Sequence, residues 1–125
     1  MKTIFVVDDN NVNLLIAKET LSQHYNVFTL SSAAFMFELL ENVSPDLILL
    51  DIVMPEMNGF EALMKLKSDT RYAGIPVIFL TSKTDASSEA YGFALGVADY
   101  ISKPFSKSVL LDRIKTHFGK SEIYY

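Results

Sequence analysis

Cysteine is absent from the 125-residue chain, which excludes disulfides, thiol catalysis and thiolate metal sites. Basic residues are few: 11 Lys and Arg stand against 15 Asp and Glu, a formal net charge of −4. Nucleic-acid phosphates are neutralised by clustered Lys and Arg, so this balance argues against direct nucleic-acid binding. No apolar run approaches the roughly 18 residues that a membrane helix needs. No charged leader followed by an apolar stretch and a cleavage site opens the chain. The expectation is a soluble cytoplasmic protein with no membrane role. Only two histidines occur, His24 and His117. Neither has a partner suggested by spacing, and both read as surface residues.

What is present is apolar and alternating. Half of the residues are hydrophobic and 21% are charged, the balance of a folded domain and not of a disordered tail. The length suits one such domain. Short runs rich in β-branched and aromatic residues occur at Thr3–Asp8, Asn26–Ser31, Asp46–Leu50, Pro76–Leu80 and Asp99–Ile101. Ile4–Val7, Leu47–Leu50 and Val77–Leu80 are continuously apolar, which predicts strands covered on both faces, as in a parallel sheet. Longer segments with helical spacing lie between and after them. They are marked by Val12, Leu15, Ile16, Ala17 and Leu21, by Phe35, Leu39 and Leu40, by Phe60, Leu63 and Leu66, by Tyr91, Ala94 and Leu95, and by Val109, Leu110 and Ile114.

Ser32, Asn58, Asp85 and Ser106 stand where helix N-caps are wanted, and Gly74 and Gly96 where helices stop. Pro76 begins a strand, where its missing N–H does least harm. Five β-then-α units predict an α/β domain: a doubly wound five-stranded parallel sheet in the order 2-1-3-4-5, helices on both faces. Residues 1–118 form the predicted domain, with 119–125 left over as a C-terminal tail or truncated linker.

Ligands of open α/β sheets bind beyond the carboxyl ends of the strands. The first strand ends there at Asp8-Asp9, the third at Asp51 and the fourth at Thr81-Ser82, while Lys103-Pro104 follows the fifth. Three ionised carboxylates in one pocket repel one another unless something positive intervenes. One hard divalent cation together with Lys103 balances them. Mg²⁺ prefers oxygen ligands and is commonly held by one or two carboxylates plus a phosphate. A carboxylate is also a competent nucleophile toward phosphorus, giving an aspartyl phosphate. Catalysis of such a transfer is mostly positioning and charge stabilisation. Each of these groups alone would pass for an ordinary loop acid, turn or helix cap; their joint occurrence, each at its own strand end, carries the reading.

Together, Val7-Asp8-Asp9-Asn10, Leu49-Leu50-Asp51-Ile52-Val53-Met54-Pro55 with Gly59, Leu80-Thr81-Ser82 and Tyr100-Ile101-Ser102-Lys103-Pro104-Phe105 resemble the receiver domain of two-component response regulators. The resemblance runs from about Lys2 to Phe118 and implies the flavodoxin-like (βα)5 fold. It implies that Asp51 accepts a phosphoryl group from a histidine kinase or histidine phosphotransfer domain, so that the protein is a switch and not a dedicated enzyme. It implies Mg²⁺ held by Asp9 and Asp51, by Asp8 mainly through water, and by the carbonyl of Val53. Lys103 then pairs with the carboxylate or the phosphoryl oxygens. Thr81 moves to the phosphoryl group, Tyr100 swings inward behind it, and the bond before Pro104 is cis. The face made by the fourth helix, fifth strand and fifth helix reports the change to an effector domain or target protein. Phe93, Val97, Leu111 and Phe118 lie on that stretch, most of them expected to be buried. Homodimerisation through the fourth and fifth helices stays open. Met1 just before the first strand suggests that the domain starts its native chain, which disfavours the C-terminal receiver of a hybrid kinase.

Other readings of the same fold are weaker. A flavin phosphate wants a Ser/Thr/Gly-rich loop after the first strand, and Asp8-Asp9 would repel it. A small-molecule phosphatase with an aspartate nucleophile wants a second carboxylate two residues after the first, where Asn10 stands. A docking module without phosphorylation chemistry would have no use for the full residue set.

Overall fold

The computed structural model describes residues 1–122, with side chains described to residue 119. Five strands alternate with five helices: β1 (Thr3–Val7), α1 (Asn11–Leu21), β2 (Asn26–Leu30), α2 (Ala33–Leu40), β3 (Leu47–Leu50), α3 (Gly59–Ser68), β4 (Val77–Thr81), α4 (Ala86–Ala94), β5 (Asp99–Ser102) and α5 (Lys107–Glu122). All sheet pairings are parallel and the order is β2-β1-β3-β4-β5.

Alternation along each strand divides the core in two. Phe5, Val7, Ile48, Leu50, Val77 and Phe79 point to one face, which α2 and α3 cover through Met36, Leu63 and Leu66, joined by Val97 from the segment after α4. Ile4, Val6, Leu47, Leu49, Ile78, Leu80 and Ile101 point to the other, under Leu14, Ala17 and Leu21 of α1 and Leu110 and Ile114 of α5. The three continuously apolar strands are buried throughout, as the two-sided covering requires. β2 forms one edge and is partly exposed.

Local chemistry sets the helix boundaries. Ser32, Asn58 and Asp85 accept hydrogen bonds from backbone N–H groups of the first turns they cap, and Ser106 does the same from Val109 N–H. Asn58 and Glu61 satisfy each other's backbone donors in a capping box. Asn10 caps α1 from the loop that carries the acidic pair, accepting from Val12 and Asn13. Gly96 closes α4 at φ +102°, whereas Gly74 lies beyond a turn that starts at the C-cap Asp69.

The helix faces differ from the sequence expectation in places. In α1 the buried set is Leu14, Ala17, Thr20 and Leu21, while Val12, Leu15 and Ile16 are exposed. Phe35, Tyr91 and Val109 are exposed as well. These helices carry apolar residues over an arc wider than the sheet covers, and periodicity alone does not say which stripe turns inward. Of the four apolar residues on the fourth-helix to fifth-helix stretch, Val97 and Phe118 are buried, Leu111 is half-buried and Phe93 is exposed. Residues 123–125, part of the segment 119–125 set apart in the sequence, lie outside the described residues, and α5 reaches Glu122.

Candidate functional site

At the carboxyl ends of β1, β3 and β4 and just beyond β5, the chain ends its strands on polar groups, and parallel pairing brings those ends side by side. Asp8 follows β1, Asp51 follows β3, Thr81 closes β4 and Lys103 follows β5. Asp8 and Asp51 are buried and Thr81 is fully so; Asp9 is exposed. One carboxylate oxygen each from Asp8, Asp9 and Asp51 lie within 4.8 Å of one another. Lys103 Nζ donates a short hydrogen bond to Asp8 Oδ2 and stands 3.3 Å from Asp51 Oδ2. One ammonium thus bridges the two buried acids.

Backbone donors fix the acids further. Asn10 N–H donates to Asp8 Oδ1 at 2.9 Å, and Ile52 N–H donates to Asp51 Oδ1 at 2.8 Å. The Thr81 hydroxyl oxygen accepts from Lys83 N–H at 3.2 Å. Burial pushes the Asp51 carboxyl above its ordinary range, against the opposing pull of Lys103 and a hydrogen bond with Thr81; neighbouring Asp8 adds to the rise. Nearby positive charge is therefore what the pocket calls for.

The donor set suits a hard divalent ion. Only oxygens are offered, from three acids. Two oxygens at about 2.1 Å from one Mg²⁺ stand at most about 4.2 Å apart. The three acidic oxygens, all within 4.8 Å of one another, come near that limit. Val53, two residues past Asp51, is exposed at the rim.

The loop after Asp51 is shaped by close approach. A Cβ at Gly59 would lie 2.4 Å from the Asp51 carbonyl oxygen and 2.7 Å from Ile52 Cα. Only glycine lets the start of α3 rest against the acid's own backbone, where Gly59 N–H donates to the Ile52 carbonyl at 2.8 Å. Glu56, in the same loop, takes the left-handed conformation at φ 70°. On the other side of the pocket the Lys103–Pro104 peptide bond is cis.

Tyr100 pairs across the sheet with Phe79, two residues before Thr81 on β4, and its ring is buried. Its hydroxyl donates to the Ser88 carbonyl at 2.6 Å. The ring packs edge-on to Phe79 at 5.2 Å and tilted against Phe93 at 5.6 Å. Burial raises its phenol pKa from 10.0 to about 12, with the charges of Glu89 and Asp85 adding to the rise.

Sequence reading left out several groups that the fold brings into play. His117 is not a solitary surface residue: its ring is mostly covered and Nε2 lies 3.0 Å from Asp99 Oδ2, which also accepts from Arg113 at 2.8 Å. The spacings 99, 113 and 117 cross from a strand to a helix, so no local period could reveal them. Burial opposes the Asp99 charge, yet the bonds from His117 and Arg113 hold the carboxyl below its ordinary range. Ser88 and Gly92, which border Tyr100, were equally invisible.

Comparison with known proteins agrees with this geometry. A family model described as the response regulator receiver domain matches residues 4–115. A probable cyclic di-GMP phosphodiesterase of Vibrio cholerae is 42% identical over 115 residues, covering 92% of this chain but 26% of that protein. The chain thus spans about a quarter of that relative's length. Protein PilH of Pseudomonas aeruginosa is 33% identical, with 91% of this chain and 95% of that protein covered. Among solved structures, a CheY-like receiver domain protein from Methanospirillum hungatei superposes with a TM-score of 0.90 at 29% identity, covering 98% of this chain and 97% of that one.

Proposed function

The chain belongs to the response regulator receiver domain family, and on that premise we propose that Asp51 is the acceptor through which it works as a two-component signalling switch. The supporting observation is the convergence of Asp8, Asp9, Asp51, Thr81 and Lys103 from four separate strand ends. Each residue has a task there. An Asp51 carboxylate oxygen attacks phosphorus of a phosphohistidine; the O–P bond forms as the N–P bond breaks, and the imidazole leaves with the electron pair. Lys103, already 3.3 Å from Asp51, neutralises the charge that arrives with the phosphoryl oxygens. The Thr81 hydroxyl offers a hydrogen bond to one of them.

Receiver domains generally bind Mg²⁺ at an acidic pocket, and here Asp9 and Asp51 would hold it, with Asp8 through water and the Val53 carbonyl. When bound, the ion would supply charge neutralisation at the phosphoryl oxygens. The protein would in this way promote its own phosphorylation and later hydrolysis.

The relay runs through Thr81 and Tyr100. A phosphoryl group that draws Thr81 toward itself favours Tyr100 in its buried position, and the equilibrium shifts by that differential affinity. The face formed by α4, β5 and α5 would carry the change to an effector domain or target protein, or to a second copy of the chain. Receiver domains work with histidine kinases and effector domains, and the donor here would be a histidine kinase or phosphotransfer domain. Among the described residues no helix is long and apolar enough to cross a membrane; we place the switch in the cytoplasm, where such donors act. The unit proposed to carry it is residues 1–118, with 119–125 as tail or linker.

Intact mass after incubation with acetyl phosphate and Mg²⁺ tests the reading. One added phosphoryl group, lost in Asp51→Ala and with EDTA, is the expected result. An adduct that survives in Asp51→Ala would place the acceptor elsewhere.

A further inference from the structure

Tyr100 has a place under α4 because position 92 of that helix carries no side chain. Gly92 is buried within α4, at an interior position where alanine is the better helix former. A Cβ there would lie 2.6 Å from the Tyr100 hydroxyl oxygen, 2.9 Å from Tyr100 Cε2 and 3.0 Å from Phe79 Cε2. Two of these are closer than carbon approaches other atoms in a packed core, and both belong to Tyr100. The ring has little room to yield, because Phe79 and Phe93 pack against it.

The hydroxyl is anchored in the same turn. It donates to the carbonyl of Ser88, the residue four before Gly92 and so one helical turn away. That turn is pinned by the cap: Asp85 accepts from Ser88 N–H at 3.0 Å and from the Ser88 hydroxyl at 2.8 Å. Slot and anchor are therefore built into one stretch of α4, starting at Asp85 and ending at Gly92.

We propose that Gly92 is a positioning residue of the switch: the gap over its α-carbon is the socket that receives the Tyr100 ring, and filling it turns the ring out to solvent. This rests on the reading of Tyr100 as the relay from Asp51. A glycine kept only for backbone reasons would behave differently. Alanine at an unobstructed helix position stabilises whatever stands at position 100. At a socket it destabilises when Tyr100 is present and stabilises when the ring is gone.

The test uses the full chain labelled with 3-fluorotyrosine, the Tyr100 resonance being assigned by its loss in Tyr100→Phe. Fluorine spectra are recorded metal-free and with Mg²⁺ and beryllofluoride. In Gly92→Ala the Tyr100 fluorine is expected to take on the solvent-isotope shift of an exposed ring, with beryllofluoride affinity reduced about fivefold or more. Thermal melting should show Tm lowered by Gly92→Ala in the wild-type background and raised by it in Tyr100→Ala. A Tyr100 resonance that stays put, or stabilisation in both backgrounds, overturns the proposal. If Gly92→Ala does not fold alone, recovery of folding in the Tyr100→Ala double variant upholds the socket and failure to recover overturns it. The Asp51 reading is scored separately, by the acetyl phosphate adduct on the wild-type protein. Its absence would sink the phosphorylation chemistry while the metal-free spectra still decide the socket.

Discussion

The two faces of the sheet are packed in different ways. Beneath α1 and α5 the buried strand residues are aliphatic, Ile4, Val6, Leu47, Leu49, Ile78, Leu80 and Ile101, with the Phe118 ring of α5 at one end and Asp99 at the edge, paired to Arg113 and His117. Beneath α2, α3 and α4 the core is aromatic and partly polar, with Phe5, Phe79, Tyr72 and Tyr100 buried and Phe60 packed against them. Aliphatic chains fill space without preferred partners, so that face acts as a scaffold. Aromatic rings pack in specific orientations and tyrosines bring hydroxyls that need acceptors. A side chain with two alternative positions belongs in the second kind of core.

Substitutions can break that contrast or sharpen it. The largest effect is expected on the scaffold face. Leu49→Ala removes a fully buried side chain and should cost about 3 kcal/mol in urea unfolding. The fluorine position of Tyr100 should be unchanged in the molecules that remain folded. If it moves, the two faces are not separable.

On the aromatic face the two buried tyrosines should part company. Tyr100→Phe deletes a hydroxyl bonded to the Ser88 carbonyl and should lose about 1 kcal/mol. The Tyr72 hydroxyl is buried and unpartnered, so Tyr72→Phe should be neutral or stabilising by up to about 1 kcal/mol. Equal losses from both would contradict the assignment.

Alkaline titration sharpens the same pair. The folded state holds the Tyr100 proton up to about 12, whereas the unfolded chain releases it near the ordinary value of 10.0. Stability contributed by this group is full below 10 and falls as pH rises toward 12. Urea midpoints measured across that window should decline less steeply in Tyr100→Phe.

The smallest stability change is expected at the rim, where Val53→Asn should stay within about 0.5 kcal/mol. Its effect should appear in the lifetime of the phosphorylated form. Val53 cannot orient a water and Asn can, so decay followed by intact mass should be several-fold faster in the variant. An unchanged half-life would remove Val53 from the hydrolysis.

Strand identity was legible because two-sided burial writes continuous apolar runs such as Leu47–Leu50, and strand order because right-handed crossovers leave few ways to wind five parallel strands. The convergence of Asp8, Asp51, Thr81 and Lys103 was legible because parallel topology aligns strand ends, so position in the strand stands in for position in space. Helix faces were less so. Val12, Leu15 and Ile16 look as apolar as Leu14, Ala17 and Leu21, and which stripe meets the sheet depends on where Asn10 starts the helix. The Asp99–Arg113–His117 cluster and the gap at Gly92 depend on how one element lies against another. Such contacts have no signature along the chain.

The bridge from Lys103 to Asp8 and Asp51 means that the two buried acids are partly neutralised before any other cation arrives. The ammonium contacts one oxygen of each acid, Oδ2, and leaves Asp9 out of the bridge. On the reading proposed above, a cation entering beside Asp9 would join the lysine and not replace it. A monovalent ion would gain little from the charge that remains, whereas a divalent ion would gain more, because its attraction to each carboxylate at a given distance is doubled. The lysine would in this way favour divalent over monovalent ions on charge alone, in addition to any preference set by ligand geometry.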